Sequence, residues 1–502
     1  MSTPRRTLLA QAQSTGPRLS SAVPDDYAPE YGALEPLFGG FTGPPIVVSN
    51  NPESLSRHGL LCGTEPMTPK KGGMYARTLV TSGSTALTRA SFYMHHIVKG
   101  NLDSTRFMLL AKPHGDHASV GLNAWGAAVT LGSQWNMGQT PSFRVQQAVI
   151  TGSLWQRNER ALLINHRGVQ ATKTTPFPIF SLPANQAFSA DARVHLVSTS
   201  ETPFQLRAVA APGGMDATEA WAFADEQYAY GNIQCPCCRG ETVRNKKKML
   251  PEDGVFGGYG WGTPAGVYAH DRWTGETRVT LQQASSVRGW KFLAAPTNRY
   301  TEPQGARTVR TENGRVRLLG SPFGTCAPGS SAAVGTGENQ RPSAIAFYEK
   351  SPNVDPNSRH SENAYPCEMR DSDPFSTSCY GGEFELSFHV ENKAASCVSV
   401  RLIFASYIGG RHPSKAGVGA DKRGWDGMMS VSLKDPSASE WSLAGGQHTY
   451  VLTRGGQLVQ QLVAFRLEPN AGKSIKVRTF VPGLIILPHG FILKTEPCAR
   501  NS

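Results

Sequence analysis

The 502-residue sequence has few charged residues, and this scarcity limits what the protein can be. Charged residues make up 18% of the chain, so long solvent-exposed helices stabilised by ion pairs are not expected. The 52 Gly and 35 Pro follow no fixed period, which indicates many turns rather than a fibrous or low-complexity protein. The composition therefore predicts a globular, β-rich chain.

Long apolar segments are also missing. No run approaches the roughly 18 apolar residues that mark a membrane-spanning helix, so no membrane span is expected. Near the N-terminus, Arg5 and Arg6 precede an apolar run that ends at Gln11, which is too short for a secretory signal. The absent signal and the odd number of cysteines, nine, indicate mostly reduced thiols and synthesis in the cytoplasm. The final location stays open, with assembly into a virion or a surface layer as one alternative. The cysteines close enough in sequence to bridge are Cys367 with Cys379 and those within 235–238.

The sequence contains none of the common catalytic motifs that we sought. There is no G-x-S-x-G, no Walker A motif and no G-x-G-x-x-G before a helix. The formal net charge of +12 is scattered, apart from a lysine cluster at 246–248. A nucleic-acid-binding face would interleave basic residues with stacking aromatic residues, so nucleic acid is not an expected partner. The sequence names no reaction and no catalytic residue.

Strands are predicted from alternating apolar and polar residues. Residues 383–391 place four apolar side chains on one face and polar ones, including Glu383 and Glu385, on the other. This pattern indicates one face on a core and one in solvent. Residues 397–404 repeat the alternation after the turn-forming stretch 392–396, so the two segments are predicted to form a β-hairpin.

Two short helices are predicted from their first residues. Thr140 followed by Pro141 is typical of an N-cap and a first helical position. Asp216 with Glu219 three residues later is typical of a capping box, and this helix should end near Gly231.

The fold class predicted from these elements is all-β, with two β-sandwich or jelly-roll-like lobes and a small helical, Cys- and Lys-containing connecting segment. The predicted boundaries are a flexible N-terminal arm at 1–40, a first β-sandwich domain at 41–211, a connecting segment with a short helix and a CPCC turn at 212–262, a second β-sandwich domain at 263–495 and a tail at 496–502.

A histidine-rich metal site is one candidate for chemistry. Neutral imidazoles and a carboxylate suit zinc or iron, and the chain offers His95, His96, His114, Asp116 and His117. Adjacent residues of a strand point to opposite faces, so at most one of His95 and His96 could join such a site. The alternative is that 114–117 is a polar turn and that the histidine pair belongs to the packing of the first domain.

A second candidate metal site involves Cys235, Cys237 and Cys238. A zinc site at these three thiols would need a fourth ligand, such as His270 or Cys326. The competing interpretation is a surface turn that carries thiols. Apart from zinc at one of these sites, no cofactor is predicted.

Carbohydrate chemistry is suggested by two features. Glu383, Glu385 and Glu391 share the predicted solvent-facing side of one strand, where sugar-active sandwiches place carboxylates. Loop tryptophans such as Trp125 could stack on sugar rings, although such residues are more often core or interface anchors.

Several short motifs in chain order carry a family resemblance. They are SNNPE at 49–53, GLL at 59–61, FYMHH at 92–96, NAYP at 363–366 and YGGE at 380–383. In these motifs the chain resembles a family of β-rich proteins of unknown function found mainly in cyanobacteria. The resemblance implies a β-rich fold over roughly 45–490 and no particular activity. Many members look exported, whereas this chain shows no signal peptide.

The function predicted first is a non-enzymatic structural or assembly protein, such as a subunit of a virion shell or a cell-surface layer. Its expected partners are further copies of itself or other structural proteins. The alternative is a carbohydrate-binding or carbohydrate-cleaving protein, with a glycan as ligand. A third hypothesis is a metal-dependent enzyme that uses the histidines between 95 and 117.

Overall fold

The fold was analysed in a computed structural model. It describes residues 34–36, 40–49, 54–55, 57–64, 87–98, 102, 104–132, 140–154, 160–226, 231–232, 266–268, 271–293, 307–310, 316–319, 381–406, 425–453, 459–481 and 488–499. Strands make up most of these residues, and the described part contains two α-helices. The prediction of an all-β, sandwich-like fold is confirmed.

The elements are numbered in chain order. The strands are β1 (Leu34–Pro36), β2 (Gly40–Thr42), β3 (Ile46–Ser49), β4 (Ser54–Leu55), β5 (Gly59–Gly63), β6 (Arg89–Val98), β7 (Thr105–Pro113), β8 (Ser119–Gly132), β9 (Ala161–Thr172), β10 (Phe177–Ala184), β11 (Phe188–Ser198), β12 (Phe204–Pro212), β13 (Gly231–Asn232), β14 (Gly266–Tyr268), β15 (Arg272–Leu281), β16 (Ser286–Leu293), β17 (Arg307–Arg310), β18 (Val316–Leu319), β19 (Glu383–Asn392), β20 (Val398–Ser406), β21 (Asp426–Lys434), β22 (Ser442–Leu443), β23 (Thr449–Leu452), β24 (Val459–Leu467), β25 (Gly472–Phe480) and β26 (Pro488–Pro497). The helices are α1 (Pro141–Thr151) and α2 (Ala217–Glu226).

The first lobe is built from two sheets. The larger has the order β13-β4-β6-β11-β8-β9, with β3 between β6 and β14, and the smaller has the order β10-β7-β12-β5. Their inner faces share one apolar core that includes Phe92, Phe107, Phe180 and Phe204. Alternating side chains of β6 and β11 supply this core, while the intervening residues of the same strands point away from it. The outward residues of β6 and β11 become important below.

The second lobe is also a two-sheet sandwich. One sheet has the order β2-β15-β19-β25-β21-β22, and the other has the order β1-β16-β26-β20-β24. Phe384 and Phe388 from the first of these sheets meet Phe404 and Phe491 from the second in a common core. Trp425, with no exposed surface, packs edge-on against Phe404.

The predicted β-hairpin between 383–391 and 397–404 is wrong. β19 pairs with β15 and β25, whereas β20 pairs with β24 and β26 in the opposite sheet. The chain therefore crosses from one sheet to the other between the two strands. Both alternations are real, but they arise because each strand turns its apolar face towards the same core from opposite sides.

The lobes differ from the predicted domain boundaries at their ends. The last part of the predicted arm is strand: β1 lies beside β16 and β2 lies beside β15, both in the second lobe. Conversely, β14 comes after the predicted connecting segment but pairs with β3 of the first lobe. Each lobe thus includes at least one strand from outside the boundaries predicted for it.

Both predicted helices are present. Thr140 caps α1 by accepting a hydrogen bond from the backbone N–H of Phe143, and Gly152 ends the helix in a left-handed conformation. Before α2, the Asp216 carboxylate accepts from the N–H of Glu219, whose carboxylate accepts in return from the N–H of Asp216. This is the predicted capping box, and α2 spans Ala217–Glu226; residues 227–230, before the predicted end near Gly231, lie outside the described residues.

Two further findings bear on the sequence-based expectations. Cys397 and Cys498, which were not among the predicted pairs, form a disulfide beside the paired strands β20 and β26. The cysteines at 367 and 379 lie outside the described residues. Within the described part of the chain, no helix is long and apolar enough to cross a membrane.

Candidate functional site

The two adjacent histidines are both buried in β6 and point to opposite faces of the sheet, as predicted. His95 Nδ1 lies 2.9 Å from Oδ1 of Asp191, which also accepts a hydrogen bond from Ser142 of α1. His96 Nε2 lies 2.8 Å from Oγ of Ser49, and its ring stacks parallel to Phe107 in the first core. Each histidine therefore has its own packing partners.

The remaining members of the predicted histidine site lie in the turn between β7 and β8. His117 and Asp116 are exposed, and the Asp116 carboxylate pairs with Lys173 at 3.2 Å. Asp191 of β11 pairs with His95 on one side and with Val129 of β8 on the other. Val129 is ten residues from Ser119, where β8 begins. At about 3.3 Å per residue, that separation is roughly 30 Å, so the structure does not bring His95 together with the 114–117 turn.

The second predicted metal site, Cys235, Cys237 and Cys238, lies outside the described residues. The free cysteine that the structure describes is Cys62, which is completely buried. Burial raises the pKa of the Cys62 thiol to about 12, against the opposing effect of a hydrogen bond with Ser49. Cys62 is therefore a protonated core side chain near neutral pH.

The structure instead gathers a different set of polar residues where the two lobes meet. We call this set the inter-lobe cluster. β6 and β11 of the first lobe supply its members from their outward faces, and the adjacent starts of the parallel strands β15 and β19 supply the rest. The cluster consists of Ser91, Arg193, His195, Asp271, Arg272 and Glu383.

Arg193 is the central cation of the inter-lobe cluster and has no exposed surface. Its Nη2 donates to Oδ2 of Asp271 at 3.1 Å and to Oε1 of Glu383 at 3.4 Å. Its Nε donates to the backbone oxygen of Gly381 at 2.8 Å. Arg272 donates to the other Glu383 oxygen at 3.1 Å, so two guanidinium groups balance two carboxylates. A first-lobe arginine thus binds three second-lobe groups.

Gly381 shows how closely the lobes approach each other here. Its φ of +78° is in the left-handed region, and a Cβ at this position would overlap the Tyr93 side chain. Tyr93 belongs to a first-lobe strand but is part of the second core, together with Ile46 and Val48. Only glycine combines that backbone conformation with this contact.

His195 connects the cluster to the protein surface. Its Nε2 lies 3.1 Å from Oε1 of Glu383, and because a carboxylate only accepts, this nitrogen carries a proton. Its Nδ1 lies 2.9 Å from Oγ of Ser91. The Ser91 hydroxyl donates to Oδ2 of Asp271 at 2.5 Å, so its proton is directed towards the carboxylate. The imidazole ring also stacks on Trp125, with the ring centroids 5.3 Å apart.

Burial and neighbouring charges shift the acid–base behaviour of the cluster. Burial lowers the pKa of His195, and the positive charge of Arg193 lowers it further, against the opposing effects of Glu383 and Asp271. Burial alone would raise the pKa of Glu383, but the hydrogen bond from His195 and the charges of Arg193 and Arg272 outweigh it. The pKa of Glu383 is therefore held well below its ordinary range.

The inter-lobe cluster includes the set of residues in the described chain that most resembles a metal site. His195, Asp271 and Glu383 offer ligand atoms that all lie within 4.8 Å of one another. However, Nη2 of Arg193 contacts one oxygen of each carboxylate, Oδ2 of Asp271 and Oε1 of Glu383. A metal at the usual ~2.0–2.2 Å from these oxygens would lie against a guanidinium of the same charge, so these residues do not fit a metal ion.

The same residues also resemble a hydrolytic triad. Ser91, His195 and Glu383 form a hydroxyl–imidazole–carboxylate series, the arrangement that activates a nucleophile. Ser91, however, has no exposed surface, and its proton is directed towards Asp271. A substrate cannot reach this oxygen in the structure. The arrangement is better suited to holding strands together than to acyl transfer.

Sequence reasoning missed this cluster. Arg193 and His195 of β11, which alternate with the core residues Val194 and Leu196, were not among the predicted site residues. Glu383 was expected on a solvent-facing strand surface, and this is wrong, because the residue is 9% exposed. The signal that could have suggested burial is Glu383 directly after Gly381 and Gly382, where the backbone approaches closely.

Comparisons with known proteins add little to this description. No protein-family model matches the chain, and no curated protein matches it. Among solved structures, the human MASP-1/3 CUB1-EGF-CUB2 fragment is 8% identical, with 81% of this chain and 92% of that chain covered and a TM-score of 0.15.

Two other solved structures are as distant. The CBM22-1-CBM22-2 tandem of Paenibacillus barcinonensis Xyn10C is 8% identical, with 81% and 76% coverage and a TM-score of 0.12. Tripeptidyl peptidase 2 is 7% identical over 82% of this chain and 22% of that chain, with a TM-score of 0.14. All three TM-scores are below 0.5, so none supports an inference about this chain. The resemblance to the cyanobacterial family stays a prediction.

Proposed function

We propose that the protein is a non-enzymatic structural subunit that assembles with copies of itself or with other structural proteins, as in a virion shell or a cell-surface layer. The observation that carries the proposal is the inter-lobe cluster. Its arginines, carboxylates and histidine contact one another across the lobe boundary, with Arg193 and Asp271 completely shielded from solvent. The clustered ionisable side chains, which could otherwise have formed a reactive site, therefore hold the two sandwiches together in the described part of the chain.

A structural subunit requires that its two lobes keep one position relative to each other. Besides the cluster, Gln146 of α1 bonds to the second lobe through its amide, and Phe143 of the same helix packs edge-on against Tyr450. Charged, amide and aromatic contacts thus resist relative movement of the lobes.

Assembly is tested by light scattering and negative-stain electron microscopy of the purified full chain over a wide range of protein and salt concentrations. We expect regular particles or sheets of uniform spacing. A strict monomer at every concentration and salt level would contradict the proposal. The matched variant Arg193→Met should assemble less regularly than Arg278→Met, because Arg278 is 83% exposed on the second lobe and outside the cluster.

A second candidate function, glycan binding, is favoured by one observation. Trp125 exposes 46% of its surface on a sheet face, although large apolar side chains in the described part of the chain are otherwise mostly buried. Exposed, rigidly held aromatic rings are common binding platforms for sugars, whose C–H faces pack on them. Screening the chain and a Trp125→Ala variant on a glycan array tests this candidate. Binding by the former and not by the latter is expected, and silence from both would contradict it.

A further inference from the structure

The surface around Trp125 is the part of the described molecule most suited to a ligand. Among the described residues, the large apolar side chains with an exposed surface are Trp125, at 46%, and Val287, at 54%. Trp125 lies in the middle of β8 rather than in a loop, and it faces the same side of the sheet as His195 and Asn165, its partners on the two neighbouring strands. The sheet therefore holds the indole in a defined position.

The indole is also held by a ring that packs against one of its faces. Its ring stacks on the His195 imidazole with an angle of 17° between the two planes. His195 is itself fixed by Ser91 on one nitrogen and by Glu383 on the other. One face of the indole thus lies on a hydrogen-bonded ring, and the exposed surface belongs to the opposite face and the edge. A platform that is ordered before binding loses little entropy when a ligand arrives.

The surroundings of Trp125 fit a single sugar ring better than a run of nucleotide bases. Single-stranded nucleic acids are bound by several aromatic side chains on which successive bases stack. Among the described residues of this sheet, Trp125 is the exposed large aromatic side chain, and the residue directly across on β9 is the exposed Asn165. An amide at the edge of an indole can donate to and accept from sugar hydroxyls while the ring packs on the C–H face of the sugar.

The charge of this face determines which sugars it would prefer. Across β6, β8, β9 and β11, the acidic residue is Asp191, which is 1% exposed and bound to His95. The same strands carry Arg89 and Arg167 in exposed positions. Arg167 is exposed and lies two residues from Asn165 on β9, where the register with β8 shifts; two residues of a strand span ~6.6 Å, a distance that a long side chain can cover. The exposed surface beside the indole is therefore basic.

We propose that Trp125, Asn165 and Arg167 form a binding site for an acidic glycan, in which a carboxylate-bearing sugar stacks on the indole and its carboxylate pairs with the guanidinium of Arg167. This inference rests on the second candidate function and names the class of glycan. The planar guanidinium of Arg167 matches the geometry of a carboxylate and can pair with it through two N–H groups.

Calorimetric titration of the full chain tests the proposal with two probes. One is a tetrasaccharide of alternating glucuronate and N-acetylglucosamine, and the other is the same tetrasaccharide with its carboxylates reduced to alcohols. The acidic probe should bind at least about tenfold more tightly than the neutral one. Trp125→Ala should weaken binding of both at least about tenfold, and Arg167→Gln should abolish the preference for the acidic probe.

Two matched variants control for general effects. Trp441→Ala removes a tryptophan that packs under Lys476 in the second lobe, and Arg278→Gln removes an exposed arginine of that lobe. Neither should change the affinity for either probe. Trp125→Phe keeps an aromatic surface on His195 and should retain part of the binding, which separates loss of stacking from loss of folding. Thermal unfolding of each variant establishes that it is folded.

The possible results separate the two levels of the proposal. Equal, Trp125-dependent binding of both probes would leave glycan binding standing and overturn the preference for acidic sugars. If neither probe binds at millimolar concentration, both glycan binding and the preference for acidic sugars are overturned. Tighter binding of a uridine oligonucleotide, lost in Trp125→Ala, would overturn the glycan assignment in favour of nucleic acid.

Discussion

Two junctions connect the lobes, and they are built from opposite kinds of interaction. At the inter-lobe cluster, Arg193 bonds to the carboxylates of Asp271 and Glu383. At the helix junction, the neutral amide of Gln146 donates to the backbone oxygen of Phe480 at 2.7 Å and accepts from the backbone N–H of Met428 at 2.6 Å. Both start on the outer side of the same first-lobe sheet and end on the same second-lobe sheet.

The difference lies in what each junction loses when one partner is removed. A buried charge without its partner is far more costly than a buried amide without one, because its desolvation is no longer offset. The helix junction involves main-chain groups that cannot change charge, so it should be insensitive to pH. The inter-lobe cluster contains a titrating histidine and depends on it. The inter-lobe cluster thus contributes more to stability but varies with pH, whereas the helix junction contributes less and does not vary with pH.

The largest effect should come from Arg193→Met. It leaves Asp271 and Glu383 buried near each other without their shared cation, and we expect a loss of about 3–5 kcal/mol in the free energy of unfolding. Urea unfolding followed by fluorescence measures it. Arg272→Met is the matched control, since this side chain is one-third exposed and makes one such contact, and it should lose less than about 1 kcal/mol. Equal losses in both variants would show that burial does not distinguish the two arginines.

Gln146→Leu should have the next largest effect. The change keeps the side-chain volume but removes the side-chain acceptor of the Met428 N–H and the closer donor to the Phe480 carbonyl, so we expect a loss of about 2–4 kcal/mol. Gln147→Leu, on the half-buried side of the same helix, should change stability little. The loss in Gln146→Leu should be the same at pH 5 and pH 8. A pH-dependent loss would contradict the contrast between the junctions.

The pH dependence of stability should be smaller and should depend on His195. Because its pKa is lower in the folded than in the unfolded protein, its contribution is complete above its unfolded pKa of ~6.5 and is lost as the pH falls below that value. One proton limits the slope to about 1.4 kcal/mol per pH unit. The low pKa of Glu383 places its own loss at more acidic pH.

The variant His195→Gln isolates that contribution. Urea midpoints measured from pH 8 to pH 5 should fall less steeply in the variant than in the wild type. His58 and His448 also have pKa values lowered by burial, so part of the wild-type slope should remain. His58→Gln provides the matched control. It should remove the contribution of His58 from the pH dependence and leave that of His195. An unchanged slope in His195→Gln would mean that the cluster does not titrate in this range.

The smallest stability effect should come from Trp125→Ala. The ring is 46% exposed and its main contact is the His195 stack, so we expect a loss of about 0.5–1 kcal/mol in the urea measurement. The same substitution should nevertheless strongly weaken glycan binding. A loss as large as that of Arg193→Met would show that Trp125 belongs to the junction and not to an open surface.

Local sequence signals predicted the elements but not their partners. The alternation in 383–391 correctly predicted strand β19, and that in 397–404 predicted β20, because a strand exposes its two faces with a period of two residues. The same period occurs whether two strands are neighbours in one sheet or face each other across a core. The predicted hairpin failed for this reason, since the short connection between them was compatible with both arrangements.

The sequence by itself determined the all-β class, the caps of α1 and α2, the opposite orientation of His95 and His96 and the apolar faces of the strands. These depend on residues a few positions apart, which interact through the local backbone. Tertiary structure alone decided that Arg193, His195, Asp271 and Glu383 meet, since up to 190 residues separate them along the chain. It also decided that Glu383 is buried and Trp125 exposed, because burial depends on which surface of the other lobe covers a strand, and no local pattern records that.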